Sequence, residues 1–201
     1  ILIQSTSIPG VAQRTGATAY YLEMMRAPEG HAIDPVFGLY PAPGYIDIAV
    51  ASELIEAGRL LEKGLVSPDR TTLIASTHRI YAMAERTALG DGSFDTQGIM
   101  TAARELSHHL VMSDLVDLAR GRNTALNAIM LGAIAGTGLL PFQNNALETA
   151  ITTRGISVAS NLKGFRAGLE LANTPSVSEN AVDLSNASPL TGHVAHPLIT
   201  R

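Results

Sequence analysis

The residues best suited to binding chemistry lie near the start of the chain, in a polar loop that contains glycine. Gln13, Arg14, Thr15 and Gly16 follow one another there. The guanidinium of Arg14 is a planar fork of donors that matches a phosphate or a carboxylate, and Gly16 lets a partner approach the backbone closely. Two interpretations fit these residues equally well: Arg14 binds an anionic ligand or partner, or it forms a salt bridge that anchors its own loop.

A second candidate group follows an apolar run later in the chain. Ser76, Thr77 and His78 come directly after residues that predict a strand. Hydroxyl groups and an imidazole at the end of a strand can contact a polar ligand. The more common alternative is that His78 is simply a polar residue at the start of a helix.

Two other patterns imitate cofactor sites. Residues 90–93 and Asn123 resemble a thiamine-diphosphate signature, but that signature should follow a buried strand, and residues 82–89 predict a helix. We therefore interpret residues 90–93 as a turn that ends a helix. His193 and His196 have the spacing of a metal-binding pair, yet they lie in a proline-flanked tail without a carboxylate cluster, which favours solvated histidines.

Composition narrows the classes of protein. The chain has 201 residues, of which 46% are apolar, so wholesale disorder is excluded. It contains no cysteine, which removes disulfides, thiolate nucleophiles and thiolate-held zinc or iron–sulfur clusters from this chain. The net charge of -4 argues against nucleic acid as the main partner. If the protein serves redox chemistry, a partner must carry the electrons.

Several common motifs are missing. The sequence has no G-x-G-x-x-G fingerprint, no phosphate-binding loop of the Walker type and no G-x-S-x-G elbow. Its longest apolar stretch, residues 128–140, is interrupted by glycines and is too short to span a bilayer. No signal peptide opens the sequence given, so we expect a cytoplasmic protein without a membrane partner.

The clearest structural unit is a predicted β-α-β motif. Residues 46–51 predict a strand, Ser52 occupies the position of a helix N-cap, and apolar residues then recur at helical spacing. Lys63 and Gly64 are typical of a helix end, and residues 71–75 predict the second strand. Strands joined in this way are parallel.

The rest of the chain continues the alternation of strands and helices. Strands are expected at residues 1–5, 17–25 and 110–112, and helices at residues 80–89, 96–108, 124–136, 146–154 and 158–172. Gly132 and Gly136 lie one helical turn apart, which predicts a smooth face for close packing. These elements favour an α/β domain with a mostly parallel sheet. Ligands of such sheets bind beyond the carboxyl ends of the strands, which we expect at residues 5–7, 52–53 and 76–78.

Several segments together resemble a known family. Residues 5–21 read STSIPGVAQRTGATAYY, and residues 67–81 read SPDRTTLIASTHRIY. Further similarity covers residues 35–39, 52–59 and 132–142. The chain resembles the beta subunit of indolepyruvate ferredoxin oxidoreductase, which corresponds to the gamma-type domain of the 2-oxoacid:ferredoxin oxidoreductases. Many relatives have glycine at the position of Thr15.

The resemblance implies a Rossmann-like three-layer α/β domain with a mostly parallel sheet, closed by C-terminal helices. It implies that residues 1–172 form the gamma-type domain and that residues 173–201 are a linker or tail. Relatives open with a strand and a glycine-rich turn that are missing here, so we expect the domain to lack its first strand-helix unit.

The resemblance also implies an accessory role. In the family, thiamine diphosphate, its magnesium and the iron–sulfur clusters belong to a partner alpha subunit, coenzyme A is the co-substrate, and ferredoxin takes the electrons through the complex. This chain would then hold no catalytic residue and no metal. Residues 13–16 and 76–78 would face a ligand or the partner. The alternatives are a freestanding Rossmann-like protein that binds a small phosphate-bearing ligand, and a purely structural interaction domain.

Overall fold

The fold is built on a three-stranded parallel sheet. The computed structural model of the chain describes residues 1–9, 18–26, 36–78 and 95–174. Its strands are β1 (Leu2–Pro9), β2 (Thr18–Met25), β3 (Ile48–Ala51), β4 (Thr72–Ser76) and β5 (His109–Ser113). Its helices are α1 (Leu54–Glu62), α2 (Thr96–Leu106), α3 (Leu115–Arg122), α4 (Leu126–Gly136), α5 (Asn144–Arg154) and α6 (Val158–Asn173).

The predicted β-α-β motif is confirmed. Strands β3 and β4 pair in parallel, with Ile48 opposite Thr72, and α1 connects them. Strand β5 pairs in parallel with the other edge of β4, so the order is β3-β4-β5. All five residues of β4 are buried, as expected for a central strand that is covered on both faces.

Helices cover both faces of this sheet. Leu73 and Ala75 of β4 point to one face and belong to a core cluster that includes residues of α1 and α2. Ile74 points to the opposite face and packs with Ala133 of α4 and Leu171 of α6. The alternation along β4 therefore separates two apolar cores, and the expected three-layer α/β arrangement is confirmed.

The start of α1 differs from the prediction. The N-cap residue is Glu53 rather than Ser52, and no side chain caps the helix. The first backbone donor of the helix, Leu54 N–H, is satisfied by the carbonyl of His78, 3.0 Å away. The neighbouring strand end thus supplies the acceptor that we expected from a serine hydroxyl. The predicted stop is confirmed, since Lys63 is the C-cap and Gly64 has a φ of +66°.

Strands β1 and β2 form a separate antiparallel ribbon, which we call the ribbon from here on. Leu2 pairs with Met25, and the register continues to Pro9 opposite Thr18. Residues 5–7 therefore lie within β1, and our placement of them at a carboxyl end of the parallel sheet is wrong. The physical reason is length: the eight residues between the two strands are too few for a parallel crossover, which needs a dozen or more.

Helix α3 is absent from the sequence-based prediction. Its N-cap is Asp114, whose carboxylate accepts hydrogen bonds from the backbone N–H groups of Val116 and Asp117. Asn123 ends the helix in the left-handed conformation, with a φ of 48°. An aspartate before an apolar pair, and an asparagine after the last turn, were the available signals for this helix. The predicted helix at residues 80–89 lies outside the described residues.

The contact between α4 and α6 depends on glycine. A Cβ on Gly132 would overlap the carbonyl group of Phe165, and a Cβ on Gly136 would lie 2.6 Å from the Cβ of Ala172. Gly168 of α6 faces the backbone of α4 in the same way. The smooth face predicted for α4 is therefore confirmed, and its partner is a glycine-bearing face of α6. Within the ranges that the structure describes, no helix has the length and apolar character that crossing a membrane requires.

Substituting Gly132 tests this backbone contact. Gly132→Ala is expected to lower the free energy of unfolding by roughly 1–3 kcal/mol, because the added methyl group meets a backbone carbonyl that cannot move alone. Gly121→Ala is the matched control, because Gly121 is also helical and has no atom within 4 Å of its added Cβ. We expect this control to be neutral, or to raise stability by up to ~1 kcal/mol. Equal denaturant midpoints for the two variants would contradict the contact.

Candidate functional site

The three parallel strands end at one edge of the sheet, which we call the carboxyl edge. It comprises Ser52 and Glu53 after β3, the residues from Ser76 to His78 at the end of β4, and Ser113 and Asp114 at the end of β5. Helices α1 and α3 begin at this edge. In open parallel sheets this is where ligands and partners bind, so the fold places one of the two predicted residue groups in a suitable position.

Ser76 lies in the interior of this edge. Its side chain is fully buried, and its Oγ accepts two backbone hydrogen bonds. One comes from His78 N–H at 3.2 Å and the other from Leu115 N–H, also at 3.2 Å. The hydroxyl therefore links the end of β4 to the first residue of α3, in the position of a helix cap supplied from another element.

Thr77 and His78 have fixed backbones and partly accessible side chains. Thr77 N–H donates to the carbonyl of Ser113 at 2.9 Å, and the His78 carbonyl accepts from Leu54 N–H. Both residues are half-buried. Among the predicted site residues within the described ranges, these two therefore have side chains that a ligand or partner can reach. Ser76 is buried and hydrogen-bonds to the backbone of His78.

Acidic side chains predominate in the described part of the carboxyl edge, where Glu56 is paired with Arg59 of the same helix. Glu53 and Glu56 lie at the start of α1, and Asp114 and Asp117 lie at the start of α3. Carboxylates at these positions complement the positive ends of the helix dipoles. The Asp114 carboxylate already occupies two N–H groups of α3, and Ser76 occupies a third. A phosphate at α3 would therefore meet carboxylates instead of free helix donors, whereas at α1 the N–H groups of Ile55 and Glu56 have no acceptor among the described residues.

The other predicted group, Gln13, Arg14, Thr15 and Gly16, lies outside the described residues. The ribbon that flanks these residues is anchored to the body of the domain. Gln4 Nε2 donates to the carbonyl of Gly38 at 3.2 Å, and Gly38 N–H donates to Glu23 Oε2 at 2.7 Å. These bonds fix the ribbon against residues 36–40, and Arg26 adds a bond to the Pro141 carbonyl at 3.3 Å.

Glu23 is the centre of this anchor. Its other carboxylate oxygen accepts a hydrogen bond from the Tyr21 hydroxyl. Burial, the hydrogen bond to Glu23 and the negative charges of Glu23 and Asp47 together raise the pKa of Tyr21 to about 12. Sequence reasoning missed this anchor, because nothing in the spacing of Tyr21, Glu23 and Gly38 indicates that they meet.

Most of the residues that imitate cofactor sites lie outside the described ranges. No group of three or more His, Asp or Glu residues in the described ranges could hold a metal ion. Asn123 serves as the C-cap of α3, and its carbonyl accepts a bond from the Ser160 hydroxyl at 2.9 Å. Residues 90–93, His193 and His196 lie outside the described residues.

The parallel sheet, with helices on both faces and accessible polar residues at its carboxyl edge, defines a Rossmann-like α/β domain. Comparison with family models then gives a more specific result. Residues 3–171 match the model of the pyruvate ferredoxin/flavodoxin oxidoreductase family. The chain belongs to this family of 2-oxoacid:ferredoxin oxidoreductases. No curated protein and no solved structure matches the chain.

Titration of Tyr21 tests the anchor of the ribbon. The tyrosinate absorbance that is lost in Tyr21→Phe is expected to develop near pH 12 rather than near 10. Because the pKa is raised in the folded chain, the protonated phenol stabilises the fold fully below about pH 10, and this contribution is lost as the pH rises through 12.

Glu23→Gln is the control for this titration. It removes the negative charge but leaves Tyr21 buried, so the pKa of Tyr21 should fall while staying above its ordinary value. If the part of the absorbance change that Tyr21→Phe removes develops near pH 10, the arrangement of Tyr21 and Glu23 is contradicted.

Proposed function

We propose that this chain is an accessory subunit of a 2-oxoacid:ferredoxin oxidoreductase, of the gamma type that forms the beta subunit of indolepyruvate-type enzymes. The observation that carries the proposal is the family match over residues 3–171 in a chain of 201 residues without a single cysteine. The family activity is redox chemistry, yet this chain supplies no thiolate for an iron–sulfur cluster. The redox centres must therefore lie outside these 201 residues, and we assign them to a partner subunit.

The proposed division of labour assigns the cofactors to an alpha subunit. That partner would hold thiamine diphosphate, magnesium and the iron–sulfur clusters. In the overall reaction, an aryl 2-oxoacid such as indolepyruvate loses carbon dioxide, its acyl group forms a thioester with coenzyme A, and the electron pair passes to ferredoxin. The absence of cysteine from these 201 residues supports this assignment for the iron–sulfur clusters.

The contribution of this chain would be to complete the active site by contact. Thr77 and His78 are accessible at the carboxyl edge, and Arg14 lies in the segment between the two strands of the ribbon. We propose that these two places face the alpha subunit or its co-substrate. The net charge of -4 is consistent with protein and small-molecule partners rather than nucleic acid.

The alternative of a freestanding phosphate-binding protein is less well supported. Such proteins hold phosphate on the free N–H groups of a helix that begins at the carboxyl edge. Here Glu53 and Glu56 flank the start of α1, and Asp114 fills the start of α3. Nucleotide binding by the isolated chain, measured by calorimetry, would revive this alternative.

Iron content tests the division of labour. The isolated chain is expected to bind no stoichiometric iron after anaerobic reconstitution with iron and sulfide, because it has no thiolate ligands. The same chain, tagged and purified from its source, should bring down a second subunit that carries thiamine and iron. Iron bound to the isolated chain, or a chain that purifies alone with nucleotide, would contradict the proposal.

Arg14 tests the contact with the partner. Arg14→Ala is expected to leave folding intact and to weaken complex formation or coenzyme A-dependent turnover at least tenfold, about 1.4 kcal/mol, since an anionic group would lose a charge-assisted pair. Arg14→Lys keeps the charge without the fork, so it should recover only part of the loss.

Gel filtration with the alpha subunit distinguishes the two roles of Arg14. Loss of the complex indicates an interface, whereas an intact complex with a higher coenzyme A requirement indicates a ligand contact. Arg154→Ala, at the exposed end of α5, is the matched control and should change neither property. Normal assembly and kinetics in Arg14→Ala would reduce Arg14 to a loop anchor.

A further inference from the structure

The carboxyl edge contains a fully buried serine whose hydroxyl connects the end of β4 to the start of α3. We infer that Ser76 is a positioning residue, which sets the places of Thr77 and His78 so that their side chains can meet the partner surface. The contact of Thr77 and His78 with a partner rests on the proposed function. The positioning by Ser76 does not, because it follows from the hydrogen bonds at this edge.

Backbone hydrogen bonds hold Thr77 and His78 beyond the end of the strand. Thr77 N–H reaches the Ser113 carbonyl at 2.9 Å, and the His78 carbonyl accepts from Leu54 N–H at 3.0 Å. The remaining donor, His78 N–H, is satisfied by Ser76 Oγ at 3.2 Å. The two residues are therefore fixed as firmly as a strand, although they belong to a connection.

The same hydroxyl also determines where α3 begins. Leu115 N–H, the first donor of α3, lies 3.2 Å from Ser76 Oγ, and the Leu115 side chain is fully buried. Because one oxygen atom accepts from both His78 and Leu115, the spacing between the β4 end and α3 is set by a single side chain. Removing that hydroxyl would leave two backbone donors unpaired in a buried place.

The side chains of Thr77 and His78 are half-buried, so a rigid backbone at these residues would hold two accessible side chains in place for a partner. Neither residue is part of the core clusters on the two faces of the sheet. Functional side chains are held most accurately when a scaffold saturates the backbone beneath them with hydrogen bonds. Thr77 and His78 have that arrangement, because both of their N–H groups and the His78 carbonyl are hydrogen-bonded while their side chains stay partly accessible.

The opposite end of β4 provides a matched comparison. Thr71 is also fully buried, and its hydroxyl also joins two backbone groups: Oγ1 donates to the Ile46 carbonyl at 2.8 Å and accepts from Ser67 N–H at 3.0 Å. Thr71 precedes β4, whereas Ser76 ends it. Removing the Thr71 hydroxyl therefore unpairs buried backbone groups as removing the Ser76 hydroxyl does, but at the end of β4 that is away from Thr77 and His78.

The experiment compares Ser76→Ala with Thr71→Val in the full chain. Both changes remove a buried hydroxyl, and denaturant midpoints record the stability loss of each. The readout for position is the NMR resonance of the His78 imidazole, assigned with His78→Gln. We expect Ser76→Ala to shift or broaden this resonance, Thr71→Val to leave it unchanged, and Ser76→Thr, which keeps the hydroxyl, to restore it.

A second measurement needs no substitution. In amide hydrogen exchange of the unmodified chain, the amides of His78 and Leu115 should be protected, because Ser76 accepts from both. The amides of Ile55 and Glu56, in the first turn of α1, have no acceptor among the described residues and should exchange freely. This comparison stands even if Ser76→Ala does not fold.

The outcomes separate the inference from the proposed function. An unchanged His78 resonance in Ser76→Ala, an equal shift in Thr71→Val, or unprotected amides at His78 and Leu115 would overturn the positioning role. A shifted resonance with at least tenfold weaker binding to the alpha subunit supports both ideas. A shifted resonance with normal binding and turnover supports the positioning role and overturns the contact of this edge with the partner.

Discussion

The burial of β4 along its whole length is the constraint on which the other elements depend. Five consecutive residues are enclosed by β3 and β5 at the strand edges and by helices on both faces. Full burial of a side chain such as Leu73 or Ile74 contributes roughly 1.5–3 kcal/mol, which explains why both faces must be covered. Polar groups at the two strand ends must then be bonded internally, and the hydroxyls of Thr71 and Ser76 meet that requirement.

The close contact of α4 with α6 completes the cover of one face. Ile74 and Val111 pack with Ala133 of α4 and Leu171 of α6, so both helices must lie close to the sheet and to each other. Glycine at their contact allows the two backbones to approach, because a Cβ on Gly132 or Gly168 would overlap a main-chain carbonyl of the facing helix. The glycine spacing in α4 revealed this face from the sequence, but its partner could be assigned only from the three-dimensional packing.

Local sequence signals predicted the individual strands and helices better than they predicted which elements pack against each other. The β-α-β unit was predictable because its strands, its helix period and its Gly64 stop all agree over a short stretch of sequence. The pairing of β1 with β2 in the ribbon was not predictable, because the sequence pattern of a strand does not indicate which strand it pairs with. The cap of α1 shows the same limit: Ser52 has the right residue type, but the acceptor comes from His78, which is distant in sequence. The site follows this rule as well, since the strand end at Ser76 was predictable and its burial beneath α3 was not.

The electrostatics of the carboxyl edge bear on how an accessory subunit could work. Glu53, Glu56, Asp114 and Asp117 all lie where α1 and α3 begin, and they stabilise those helices by complementing the helix dipoles. The same charges disfavour an anionic cofactor such as a diphosphate at this edge, because the first donors of α3 are filled and α1 begins beside two glutamates. A partner surface that docks here should therefore be cationic or neutral. If an anionic co-substrate contacts this chain, Arg14 offers it a more suitable group than the carboxyl edge does.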